Sequence, residues 1–118
     1  MRPFQLLPAI TIFISLEILG VAGYWDCDGY RVPDKNVQDS AVFAFSKEKG
    51  SFHGYPITFR AASALSRLGS IRKFPVDCSE ENWQGEHVNF YVLTNRDRKF
   101  IHVVYTFGDG GNCAHVQD

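Results

Sequence analysis

Four histidines, three cysteines and a scatter of lysines and arginines are the side chains in this sequence best able to do chemistry. His87 and His102 come first, because imidazole titrates near neutrality and can both give and take a proton. They fall in two runs, His87–Thr94 and Phe100–Phe107, rich in Val, Ile, Phe and Tyr. The connector Asn95-Arg96-Asp97-Arg98-Lys99 makes this a hairpin signal. With Asn95–Arg98 as a four-residue loop, Tyr91 faces His102 and His87 faces Thr106. The two imidazoles then stand on opposite strands but not opposite each other, and no carboxylate shares their face. His53 and His115 read as turn and terminal-strand residues with local hydrogen bonds. The spacing of the cysteines and histidines suits no metal, so neither a metal site nor a cofactor is expected.

The hairpin also divides the side chains by alternation. Val88, Phe90, Val92, Ile101, Val103, Tyr105 and Phe107 form an apolar face for the core. His87, Asn89, Tyr91, Leu93, Phe100, His102, Val104 and Thr106 form a mixed face open to solvent or to a ligand. Upstream, helical spacing of Val37, Ala41, Val42, Ala44 and Phe45 predicts one helix over Lys35–Lys49. Asp34 suits its start, Lys47 and Lys49 its end, and Gly50 stops it. Tyr30–Val32, Tyr55–Phe59, Ser70–Val76 and Cys113–Val116 read as short strands, Pro56 placing its strand at an edge. Trp83 is an anchor in the polar loop Asp77–Gly85. The expected fold class is α+β, one helix packed on a small antiparallel sheet.

The first 23 of the 118 residues read as a secretory signal. Met1-Arg2 opens it, an apolar run from Phe4 to Val21 follows, and small residues allow cleavage after Ala22 or Gly23. Residues 24–118 then form a single domain of about 95 residues, which is marginal without a staple. Arg2 and Glu17 leave together, so the net charge stays at −1, which gives no electrostatic case for nucleic acid. Locally the charge is uneven: Lys49, Arg60, Arg67, Arg72 and Lys73 make one basic island, and the hairpin tip makes another. Cys27 and Cys113 lie near the two ends of the secreted chain. Joining them closes a loop over most of it, a gain of about 4–5 kcal/mol in the chain-entropy model. Cys78, beside Asp77 and Glu80, is left as an inert free thiol.

The order of Tyr24-Trp25-Asp26-Cys27, Phe52-His53-Gly54-Tyr55-Pro56, Phe74-Pro75-Val76 and Asn82-Trp83-Gln84-Gly85 resembles a known family. It is similar to the small guanyl-specific fungal ribonucleases of the T1/F1 type, and more closely to the RNase-like effectors that grass powdery mildews secrete from haustoria. The resemblance spans the secreted chain and implies the ribonuclease fold with its terminal strands tied by a disulfide. Those ribonucleases use a Tyr, a His and a Glu on successive strands, then an Arg and a second His on the hairpin. Here the positions hold Tyr55, Ile57, Lys73, His87 and Thr106. An apolar side chain cannot shuttle a proton, and at neutral pH a lysine is a protonated donor, not a base. The guanine loop falls on Arg60-Ala61-Ala62-Ser63, without its amides and acid.

The resemblance therefore implies a catalytically inactive effector of a fungal pathogen, not an enzyme. It would be secreted and delivered into the host plant cell as a monomer with no membrane partner. Its partners would be host RNA, ribosomal RNA included, and host plant proteins, among them an intracellular immune receptor that would make it an avirulence determinant. Tyr55, Arg60, Arg72, Lys73, His87, Tyr91 and His102 are the RNA-binding candidates. Two alternatives stand beside this: an active endoribonuclease rebuilt on His87 and His102, and a protein-interaction module without RNA affinity.

Overall fold

The computed structural model describes residues 23–59, 67–79 and 81–117. The signal segment 1–22 and Arg60, with the rest of the 60–66 segment, lie outside the described residues. The elements are β1 (Tyr24–Cys27), β2 (Tyr30–Pro33), α1 (Asp34–Ser46), β3 (Ile57–Phe59), β4 (Ile71–Val76), β5 (Phe90–Asn95), β6 (Ile101–Tyr105), β7 (Gly111–Asn112) and β8 (Ala114–Val116). They make two antiparallel sheets where a single one is expected. The larger has the order β3-β4-β5-β6-β7 and the smaller β2-β1-β8. The small sheet joins the two ends of the domain, and Tyr24-Trp25-Asp26-Cys27 is its middle strand.

The core lies between α1 and the large sheet. Alternation sends Val76, Phe90, Val92 and Val103 to one side, where they meet Val37 and Ala41 of the helix and the Cys27–Cys113 disulfide. That bond spans 86 positions and ties β1 to the residue before β8. Cys78 is a free, exposed thiol. A second cluster of Ala44, Phe74 and Trp83 gathers Phe43, Phe45, Phe52, Tyr55 and Val88. The Trp83 indole donates to the Glu86 carbonyl at 2.9 Å, so the polar loop is pinned as expected.

The helix differs from its forecast at both ends and on one side. It begins at Asp34 and stops at Ser46, short of Lys49 and Gly50. Lys47 turns extended and lays its ammonium 4.8 Å from the rings of both Phe43 and Phe52. That lodging ends the helix before the glycine is reached. Val42 is exposed, while Asn36 and Ser40 are buried. The Asn36 amide donates to the carbonyls of Asp77 and Ser79, and the Ser40 hydroxyl to that of Pro75. These partners make two inward polar residues acceptable.

The hairpin register is also corrected. Leu93 faces His102 and Tyr91 faces Val104. The four-residue loop begins one position later than expected, because Asn95 closes the ladder. Its side-chain oxygen accepts from the Phe100 N–H, and Arg98 takes a left-handed φ of 60° in the turn. A slip of two residues leaves every side chain on its predicted face. The strands themselves are shorter: His87 precedes β5 and Thr106 follows β6.

Candidate functional site

The sheet face turned away from α1 is built in rows. Ile57 pairs with Lys73, Lys73 with Leu93, and Leu93 with His102. The next row runs Pro75, Tyr91, Val104, Asn112. Pro75 is tolerated in β4 because β3 pairs only with residues 71–73, so its missing N–H breaks no ladder bond there.

Of the candidates, Tyr55, Lys73 and Tyr91 come together. The two phenol oxygens are 2.7 Å apart, and the rings 5.7 Å. The Lys73 ammonium sits 4.4 Å from the centre of the Tyr91 ring. Lys73 and Tyr91 are diagonal neighbours on adjacent strands, within reach for a long side chain. Trp83 meets Tyr55 edge-on at 5.6 Å and fixes its ring. The result is a half-buried, cationic and aromatic surface with two hydroxyls. It offers a flat ring for stacking and a charge for an anion.

The remaining candidates are placed apart. His102 lies in Lys73's row but two strands away, its Nε2 3.0 Å from the Asn112 amide oxygen and its ring 5.9 Å from Trp25. His87 is exposed before β5 begins, well along that strand direction from Leu93, the partner of His102. Thr106 uses its hydroxyl to donate to the Val88 carbonyl at 3.0 Å. Arg72 is on the wrong side for this surface. Being adjacent to Lys73 it points to the helix, where it donates to the Ala44 carbonyl at 3.1 Å and stacks on Phe45. No Asp or Glu occurs in any of the five strands.

Two features escaped the sequence. Asn112, in an expected loose turn, is a β7 residue beside His102. His115 does not bond locally: its Nε2 is 3.1 Å from the buried Asp34 carboxylate across the chain. His53 is a turn residue as expected, with φ 51°, but its ring covers Gly85 so closely that a Cβ there would lie 2.8 Å from it. The carboxylate of Glu86 is held below its usual range by the backbone N–H groups of Glu86 itself and Gln84, and further by His53.

Burial first, then the hydrogen bond with Tyr55, push the Tyr91 phenol up to about 12. A raised phenol stabilises the fold in its neutral form, so this contribution is present below pH about 10 and fades as the pH rises towards about 12. Ultraviolet titration should show one phenol ionising late, and Tyr91→Phe should remove it. A late phenol that survives the substitution would place the effect elsewhere.

No family model matches the chain. It is 49% identical over 117 residues to the secreted effector CSEP0064 of Blumeria graminis f. sp. hordei, an alignment covering 99% of each chain. Its fold is similar to the crystal structure of the BEC1054 RNase-like effector from the fungal pathogen Blumeria graminis. The TM-score is 0.74 at 45% identity, over 82% of this chain and 100% of that one. Identity this high along the whole sequence, on a helix-and-sheet fold closed by the Cys27–Cys113 bond, means that the chain belongs to the secreted RNase-like effectors of Blumeria.

Proposed function

We propose that this effector keeps the ribonuclease surface as a binding site and has lost the ability to cut. The observation that carries the reading is the content of the five strands. By the resemblance, Lys73 takes the place of the general base and Ile57 that of an imidazole, and none of these five strands carries a carboxylate. Attack by a 2′-hydroxyl needs a group that accepts its proton and another that protonates the leaving oxygen. Ile57 has no such group, and the Thr106 hydroxyl is occupied by a backbone carbonyl. The register favours this reading over a site rebuilt on His87 and His102, since His102 pairs with Leu93 while His87 precedes the strand.

The ligand is single-stranded or looped host RNA, ribosomal RNA included. A base would stack at Tyr91 and Tyr55 while Lys73 meets a phosphate. Delivered into the plant cell, the protein would suppress defence by occupying that RNA or the host proteins around it. The same exposed surfaces are what an intracellular immune receptor would read.

Lys73→Glu should weaken RNA binding on the order of tenfold at low salt, because an attraction to phosphate becomes a repulsion. Titration of labelled RNA, with gels run on the same samples, checks both halves of the proposal. Cleavage that disappears in His102→Ala would overturn the loss of catalysis. Unchanged affinity in Lys73→Glu would remove this face as the RNA site.

A further inference from the structure

Parts of the two basic islands of the sequence meet at one end of the fold. Helix α1 runs antiparallel to β4. Its first turn is held at Asp77 and Ser79, beyond the end of β4, while Ala44 near its last turn meets Arg72 near the strand's start. The start of β4 lies beside the end of β5, since Ile71 pairs with Asn95, and so beside the hairpin tip. Lys47, Lys49, Arg72, Arg96, Arg98 and Lys99 therefore share one end of the domain. Asp28, Asp77, Glu81 and Asp109 lie on turns and loops at the other, while Glu48 and Asp97 stand among the cations and leave the basic end with a surplus of positive charge. A net charge of −1 conceals this separation.

The basic end is organised. The guanidinium carbons of Arg72 and Arg96 lie 4.7 and 5.0 Å from the centre of the same Phe45 ring. Lys47 rests between Phe43 and Phe52, and the Lys49 ammonium donates to Thr58 at 3.0 Å. Among the described residues the close ion pairs are Lys35–Asp39 and His115–Asp34, so Glu48 and Asp97, the two acids of this end, form no close pair with its six cations. The helix C-terminus offsets part of their repulsion. Aromatic rings hold the cations in place, and the unspent charge is what a chain of phosphates would complete.

We infer that the helix-side basic end, and not the Lys73 surface alone, grips the phosphate backbone of a nucleic-acid strand. This rests on the RNA-binding reading and adds a second anchoring surface on the opposite face of the sheet. The helix-side cations supply sequence-independent affinity, while the Tyr55–Tyr91 surface contacts the bases.

The test compares variants of the secreted protein, purified with its disulfide intact, against labelled single-stranded RNA over a range of salt. Lys49→Gln with Arg96→Gln removes two exposed cations without touching Arg72, which caps the helix. Binding at low salt should fall about tenfold or more, and the salt dependence should flatten by at least one unit of slope. Arg96→Lys should preserve both. Lys35→Gln removes one positive charge at the other end and should alter neither. If the double variant binds like the parent with the same slope while Lys73→Glu is impaired, the inference fails and the RNA-binding reading stands. Equal losses in Lys35→Gln would reduce the effect to net charge and also overturn it. A parent protein that binds no RNA at low salt would remove both.

Discussion

Replacing Cys27 and Cys113 together by serine is expected to unfold most of the protein at physiological temperature. The bond closes a span of 86 positions, and in the chain-entropy model its removal costs about 4–5 kcal/mol. A domain this small has roughly 5–15 kcal/mol in total. The loss is compounded by position. Both half-cystines are buried in the main cluster with Val32, Val37 and Val103. Denaturant unfolding of the oxidised protein, the reduced protein and the double serine variant measures it. Reduction that shifts the midpoint only slightly would show that the β1–β8 pairing holds the ends together unaided. A reducing compartment would otherwise act directly on the stability of the protein.

The second large effect belongs to Trp83→Ala, a loss of roughly 3–5 kcal/mol, as for other buried aromatic truncations. Trp83 touches Phe52, His53, Tyr55 and Phe74 edge-on, and its indole N–H holds the Glu86 carbonyl. Removing it opens a void under Tyr55 and frees the loop that carries Glu86 and His87. Stability and, through Tyr55, the proposed RNA affinity should therefore fall together, although Trp83 is itself buried. Trp83→Phe should recover part of the packing but not the hydrogen bond. Full stability in the alanine variant would mean that the second cluster does not depend on its largest member.

Much of this was legible because alternation is local. Each residue of β5 and β6 falls on the face its parity assigns, and Trp83 reads as an anchor from being a lone aromatic in a polar loop. What failed depends on contacts distant in sequence. The hairpin register turns on one Asn95 side chain, and the helix end on two phenylalanines that receive Lys47. Asn36 and Ser40 look like surface residues until the carbonyls of Asp77, Ser79 and Pro75 are placed beside them. Arg72 was grouped with Lys73 by charge, although adjacent residues on a strand face opposite ways. The basic end was invisible for the same reason as the second sheet. Its parts come from α1, β4 and the hairpin tip, and nothing local joins them.

The order of the small sheet bears on when the protein can fold at all. Its middle strand is the first of the domain, and one of its two neighbours is the last. A growing chain that has released β1 and β2 still has an open edge along Tyr24–Asp26, which only residues 114–116 can fill. The thiol of Cys27 waits equally long for Cys113. The domain therefore has no finished N-terminal half to fold during synthesis. Completion comes only after residues 114–116 leave the ribosome, and until then the unpaired edge is exposed to strand-pairing with other chains.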